Sequence, residues 1–565
     1  MIDSSRPTQR ASQVDPVFAA VTAPGTPFEL AERDGLLQFA KAAPDLQLMI
    51  EAARRHGDKT FLVDFSSDGA ERRLTFEQVF AWRDQLVPML EIKRGDRVAI
   101  CMRNRAEWIV AFLAVIKVGG IAALLNSRGS PAELVAMIDD VTPALVLADS
   151  RRAGLIREGG YAGRMLDLTR PFPEDEIARR VAVPVPDPGL AKPGDPAAIL
   201  FTSGTTGRVK GAVLTHRSLI TGLMLMQLSG VMVLHNYARS LGVPVETILA
   251  NLPQQAVLMV YPLFHISGLG STFLSPLFSG SKVVIMRRWE AREAVRLIER
   301  EKITMLSAVP TMLWDMLHHA ELGEADLSSL RNVASGGQAL PVNLLDEVRK
   351  VCPQAIMGTG YGMTEASGSL AQAVGEDFIR NRSSAGRVLP LAQVRICAPD
   401  GTTLPQGESG EIQLKGAMVM AGYWNRPSES AAAFTPDGWL KTGDVGYVDA
   451  EDYIFIVDRV KDMVISGGEN IYCAEVERVM GEMPGMGECA AFGIPDERLG
   501  ELLVAVVRGG GLDEAAVKNW VGERLARYKA PGRVAVVADP LPRNDVGKVN
   551  KAALRAAWNT LSGVE

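Results

Sequence analysis

Residues 199–218 read ILFTSGTTGRVKGAVLTHRS, and this stretch decides the fold. An apolar run, ILF, enters a segment of Ser, Thr and Gly that closes on Lys210 and Gly211. Glycines such as Gly204 and Gly207 let a backbone turn its N–H groups toward an anion. The hydroxyls of Thr202, Ser203, Thr205 and Thr206 add donors, and Lys210 adds a positive charge. That chemistry suits a polyphosphate. Counted from Gly204, a Walker A loop needs glycine at 209, where Val209 stands, so the kinase or GTPase reading fails on spacing. A flexible surface linker is the bland alternative. It explains poorly why a hydroxyl-dense loop should follow a buried strand directly.

On both sides of this loop, strand patterns alternate with helix patterns. RVAICM (97–102), IAALLN (121–126) and PALVLAD (143–149) read as buried strands. AEWIVAFLAVIKVG (106–119) and SPAELVAMIDD (130–140) read as helices, the second with Ser130 as N-cap and Glu133 at the capping-box position. The alternation recurs at 281–301 and 303–320. It predicts parallel sheet with helices on both faces. The Leu/Met-rich run 223–234 reads as core. The most membrane-like stretch, 108–125, contains Lys117, Gly119 and Gly120, and reads as a buried helix followed by a strand. No transmembrane segment is expected.

Past about residue 385, Gly, Pro and Asp become frequent and strands shorten. The expected class is therefore α/β: a large N-terminal domain with parallel-rich sheets and a β-rich subdomain, plus a small, mobile α+β C-terminal domain. The expected boundaries are a mobile tail over 1–25, the large domain over 26–460 and the small domain over 461–565.

Composition narrows the function. The 565 residues carry 60 Lys and Arg against 66 Asp and Glu, a formal net charge of −6. No broad basic field is available, which argues against nucleic acid as a partner. Five scattered cysteines with no CxxC argue against a disulfide framework or structural zinc and favour a reducing cytoplasm.

The block TSGTTGRVKG (202–211) resembles the phosphate loop of the adenylate-forming (ANL) superfamily, which includes acyl-CoA synthetases, peptide-synthetase adenylation domains and luciferases. The superfamily usually has proline where Val209 stands. Further blocks follow in the superfamily's order, and the likeness runs from about 74 to 551. YPLFHISG (261–268) resembles the acyl-pocket segment, which implies that His265 lies beside the substrate carboxylate. SGGQAL (335–340) resembles the loop that packs on adenine, with Gly336 and Gly337 giving the flat ring close approach. GTGYGMTE (358–365) implies an adenine site formed by Gly360, Tyr361, Gly362 and Met363, an α-phosphate donor in Thr364 and a Mg²⁺ carboxylate in Glu365. WLKTGDVG (439–446) implies that Asp444 holds ribose hydroxyls. DRVKDMVISGGENIY (458–472) implies a second ribose contact at Arg459, a hinge at Lys461, and nucleotide contacts at Gly467 and Gly468. PRNDVGKVNK (542–551) implies that Lys548 is the catalytic lysine.

The resemblance implies two half-reactions. A carboxylate attacks the α-phosphate of ATP, giving acyl-AMP and pyrophosphate; a thiol, coenzyme A before a carrier protein, then takes the acyl group. The expected cofactors are ATP, Mg²⁺ and coenzyme A. The expected acid is apolar, of medium or long chain, with a bulky aromatic or steroid-like acid next. No charged residue stands out in the sequence to meet a second polar group on that acid. Peripheral membrane contact fits such a substrate. Monomer and homodimer both stay open.

Overall fold

The computed structural model describes residues 15–65, 70–169, 188–203, 209–319, 323, 325–336, 342–459, 462–466, 469–544 and 548–562. Two large sheets carry the N-terminal part. In the first, the apolar strands Arg97–Cys101, Ile121–Leu124, Leu145–Ala148 and Met165–Asp167 pair in parallel. The strand Pro196–Ser203 joins them in parallel through Ile121–Leu124, then turns back as an antiparallel hairpin with Val209–Thr215. The hairpin thus hangs from a sheet buried on both faces, which fixes where its loop emerges.

The helix predicted within 106–119 spans Ala106–Lys117, and all its residues from Ala106 to Ile116 are buried. Trp108 stacks on Phe112, and both meet Phe273 edge-on at 6.3 and 5.7 Å. Truncating Trp108 to alanine would cost about 3–5 kcal/mol. The chain leaves this helix through Gly119, whose φ of +71° excludes most side chains. The helix Pro131–Val141 carries the predicted capping box, with Ser130 and Glu133 each bonded to the other's backbone.

The second sheet has 13 strands among the described residues. Its centre is parallel: Lys282–Ile285, Ala256–Met259, Met305–Ala308, Asn332–Gly336 and Ile356–Met363 run side by side. Beyond Ile356–Met363 the pairing turns antiparallel. The Gly-rich strands after residue 385 continue the same sheet through Gly386–Val388 and Tyr453–Arg459. Parallel strands whose ends reach one edge set up a ligand crevice at their carboxyl ends.

From Val464 onward a separate sheet, five-stranded among the described residues, forms around Met486–Asp496 and Gly500–Gly509, with its own apolar cluster under the helix Cys473–Gly481. At the other end, Pro16–Val21 is a helix capped by Asp15, with Val17, Phe18 and Val21 buried. The packed chain therefore begins by Asp15, ahead of the boundary expected at residue 26. Residues 1–14 lie outside the described residues.

His216–Leu241 is one helix of 26 residues, started by a Thr215–Ser218 capping box and ended at Gly242 with φ +68°. Among the described residues it alone is long and apolar enough to cross a membrane, and half of its most apolar window is buried inside the fold. The expectation that 223–234 is core holds for part of the run only. The first part, Leu223, Met224, Leu225 and Leu228, is core as expected, with Leu223 also reaching a cavity, whereas Met226, Gly230, Val233 and Leu234 line that cavity.

Candidate active site

The polar half of the site grows from the hairpin. Lys210 is the cross-strand partner of Thr202, so both stand at the neck of the predicted phosphate loop. Ser203 ends the outgoing strand. Gly204, Thr205, Thr206 and Gly207 lie outside the described residues, as do Gly337, Lys461, Gly467 and Gly468.

The strand Ile356–Met363 ends in a short 3-10 turn, Thr364–Ala366. Gly362 is needed there: a Cβ would lie 2.1 Å from the Gly368 carbonyl oxygen. Thr364 and Glu365 are nearly buried, at 9% and 8% exposure. The Tyr423 hydroxyl donates to Glu365 Oε1 at 3.0 Å, and Lys210 Nζ lies 5.3 Å from the centre of the Tyr423 ring. Burial first, then the Glu365 charge, push the Tyr423 phenol well above its usual range, so it stays a donor.

Behind this turn, Tyr361 donates to Asp444 Oδ2 at 2.5 Å. Asp444 lies on the strand Leu440–Val448 opposite Arg459, the last residue of Tyr453–Arg459. Lys548 comes from the small C-terminal unit. Its N–H donates to Asn544 Oδ1 at 3.0 Å, and its carbonyl accepts from the Asn544 N–H at 2.8 Å. An Arg543–Val549 bridge closes this narrow loop.

One cavity of about 1500 Å³ joins these groups. Thr202, Lys210, His265, Gly336, Gly360, Gly362, Met363, Thr364, Glu365 and Lys548 all line it, so the structure gathers them although they span most of the chain. Tyr361 and Asp444 are not on its wall; their neighbours Gly360, Gly362, Thr442 and Gly443 are.

The apolar half lies between the long helix and the second sheet. Leu219, the pair Gly222 and Leu223, Met226, Gly230, the pair Val233 and Leu234, and Tyr237 follow one another at helical spacing and form one helix face. Opposite them, Met305 and Ser307 come from one strand, Val309 follows its end, and the whole run from Asn332 to Gly336 lines the cavity from the next strand. His265 and Ile266 stand on the wall near the turn into the π-helical segment Ser267–Leu274. The sequence singles out no charged residue for a second polar group. The cavity nevertheless reaches Arg331, Gln255 and Gln354, at the opposite ends of the strands from Gly336 and Gly360.

A model of the AMP-binding enzymes matches residues 49–424, and the model of their C-terminal domain matches 475–548. The chain belongs to this family. The AMP-binding enzyme is 32% identical over 535 residues to a long-chain-fatty-acid–CoA ligase of Mycobacterium tuberculosis, covering 93% of this chain and 98% of that one. It is 35% identical over 468 residues to a feruloyl-CoA synthase of an Amycolatopsis species, covering 82% and 89%. Among solved structures, the o-succinylbenzoate–CoA synthetase of Bacillus subtilis, in complex with ATP and magnesium ion, superposes with a TM-score of 0.72 at 30% identity, covering 90% and 98%. The AMP-binding enzyme is thus an AMP-forming acid–CoA ligase of the adenylate-forming superfamily, and ATP and coenzyme A are its co-substrates.

Sequence reasoning missed Tyr423 and Asn544. The run AGYWNRP (421–427) does contain an exposed-looking aromatic pair. Its pairing with the hairpin 200 residues earlier leaves no local trace.

Proposed function

We propose that this acid–CoA ligase activates a long-chain or bulky apolar carboxylic acid. The apolar wing of the cavity supports this most directly. Its helix face runs from Leu219 to Tyr237, about 27 Å at 1.5 Å per residue. That exceeds the roughly 15 Å depth of one bilayer leaflet's hydrocarbon. Acetate would leave such a wing empty.

In the first half-reaction a carboxylate oxygen bonds to the α-phosphorus of ATP, and the bond from that phosphorus to the bridging oxygen of pyrophosphate breaks. Catalysis is mostly positioning and charge neutralisation. Thr202 and Lys210 hold the outer phosphates, Thr364 donates to the α-phosphate, and Lys548 meets the charge that builds between phosphate and carboxylate. His265 lies beside the carboxylate, where the polar and apolar halves meet. The family resemblance assigns the ribose to Asp444 and Arg459, and Tyr361 orients Asp444 just behind the cavity wall. In the second half-reaction the thiolate of coenzyme A attacks the acyl carbon and AMP leaves.

The donor set also fits Mg²⁺. Among the described residues no group of three or more His, Cys, Asp or Glu forms a metal cage. One nearly buried carboxylate, Glu365, stands on the wall shared with Lys210. Mg²⁺ is commonly held by one or two carboxylates together with substrate phosphates. Bound there, the ion would neutralise charge on the leaving pyrophosphate.

The far end of the apolar wing supports contact with a membrane surface that supplies the acid. Tyr237 and Leu252 line the cavity yet are 48% and 45% exposed, and Leu241 and Leu249 beside them are 55% and 54% exposed. A second acid class, one with a distal polar group, is favoured by Arg331 on the cavity wall.

A panel of acids tests these readings by CoA-dependent thioester formation and pyrophosphate release. It runs from acetate to long-chain acids and includes aryl acids and a long-chain diacid. The first reading expects kcat/KM to rise steeply with apolar size. A maximum at acetate would overturn it, and a maximum at the diacid would replace it with the second. Pyrophosphate release with no thioester would point to a carrier protein as acceptor.

A further inference from the structure

The Tyr423 side chain touches both charged groups that the polyphosphate end of the site needs. Its hydroxyl is on Glu365 and its ring faces the Lys210 ammonium. Such a ring attracts a cation through its negative face.

The backbone under Tyr423 is fixed from both sides. The Ala421 N–H donates to the Val213 carbonyl at 2.9 Å, and the Trp424 N–H donates to the Gly211 carbonyl at 2.8 Å. Tyr423 therefore rides on the hairpin strand beside Ala212, two residues from Lys210. Its own N–H donates to Ser430 Oγ at 2.8 Å. Gly422 precedes it with φ +140°, and a Cβ there would lie 3.0 Å from Ser430 Oγ. A neighbouring N–H, that of Met420, donates to the Glu365 backbone carbonyl at 2.8 Å. The strand Gly422–Tyr423 is thereby stitched to the hairpin and to the Glu365 turn alike.

We propose that Tyr423 is a positioning residue that sets Glu365 and Lys210 in register before nucleotide arrives. Its hydroxyl aims the carboxylate that takes the divalent cation, and its ring holds the lysine that takes the phosphates. The two functions are separable by chemistry. Phenylalanine keeps the ring and loses the donor. Leucine loses both. The inference rests on Glu365 as the metal carboxylate.

Calorimetric binding of a non-hydrolysable ATP analogue, with and without Mg²⁺ and in the absence of acid, tests it apart from turnover. Tyr423→Phe should weaken binding of the Mg²⁺-loaded analogue about tenfold, as expected for one lost hydrogen bond to a charged group, while metal-free binding stays within twofold. Tyr423→Leu should weaken both. In a Glu365→Gln background, Tyr423→Phe should add nothing further. If Tyr423→Phe binds the loaded analogue as the unaltered protein does, or weakens loaded and metal-free binding alike, the positioning role falls. If Glu365→Gln itself binds the loaded analogue normally, the reading of Glu365 falls instead. Tyr423→Phe with an unchanged melting temperature keeps the test decisive even where Tyr423→Leu does not fold.

Discussion

Tyr361 and Asp444, 83 residues apart in the chain, are joined by a 2.5 Å hydrogen bond from phenol to carboxylate. The bond ties the strand that ends in the Thr364 turn to the strand Leu440–Val448, on which Asp444 stands opposite Arg459. Asp444 is 5% exposed, so its orientation depends on its partners rather than on water. Tyr361→Phe removes one donor to a charged acceptor, a loss of about 1.5 kcal/mol or more. The expected result is a KM for ATP raised about tenfold with kcat little changed. In an Asp444→Ala background the same change should have almost no further effect, because the two act as one unit. Additive effects in that cycle would separate the pair.

Lys548 is held at the cavity wall by Asn544 at both its N–H and its carbonyl. Lys548→Ala should slow adenylation by about 10²–10³-fold, the range for removing one preorganised charge-stabilising group. Pyrophosphate exchange measures this step. ATP binding by calorimetry should change only a few-fold, and thioester formation from preformed acyl-adenylate should survive. Undiminished exchange would remove Lys548 from the first half-reaction.

Gly230 lies on the cavity face of the long helix, and a Cβ added there would meet nothing within 4 Å. Gly230→Phe therefore projects into the apolar wing without a backbone clash. It also raises helix propensity by several tenths of a kcal/mol, so lost activity would not reflect a weaker fold. Long-chain acids should lose kcat/KM by an order of magnitude or more, while short acids should keep theirs. A chain-length series measures the shift. A uniform fall across the series would place Gly230 off the substrate path.

Glu51 supplies a pH-dependent prediction. Burial raises its carboxyl pKa, but Arg54 at 2.8 Å, Arg83 at 2.6 Å and Lys117 at 3.4 Å outweigh burial and bring it to about 2. A carboxylate depressed in the folded state contributes stability above its unfolded value near 4.5, and loses that contribution as pH falls toward 2. Glu51→Gln should therefore flatten the fall in melting temperature over that acid range. At neutral pH it should destabilise by only about 1–2 kcal/mol, because Arg83, 1% exposed, loses the Glu51 charge but keeps Asp84 at 2.6 Å. An unchanged acid profile would show that other carboxylates govern unfolding there.

Much of the architecture was readable from short-range pattern. The strands at 97–101, 121–124 and 145–148 and the helices between them follow from apolar runs, a capping box and a glycine exit. The hairpin 196–215 was legible as a strand entering a hydroxyl-rich run, whereas the Thr364 turn and Lys548 were singled out only by resemblance to family blocks; the structure brings all three to one cavity. What stayed hidden is long-range or geometric. Helical periodicity marks residues 223–234 as apolar, but Leu225 and Met226 look alike in sequence; only the sheet opposite makes one of them core and the other a cavity wall. The π-helical turn Ser267–Leu274 has no compositional signature. Tyr423 gains its place from pairing with a strand two hundred residues upstream. Arg331 reaches the cavity through the register of a parallel strand, which no local rule predicts.

Gly222 stands on the same helix face as Gly230, yet a Cβ there would lie 2.5 Å from the Ser367 carbonyl oxygen, just past the turn that carries Thr364 and Glu365. The helix is therefore unequal in what it can tolerate over evolutionary time. Its outer turns, at Met226, Gly230 and Val233, are open to re-carving for a differently shaped acid. Its first turns are welded to the chemistry, so a lineage drifting toward a new substrate must leave residue 222 as it is.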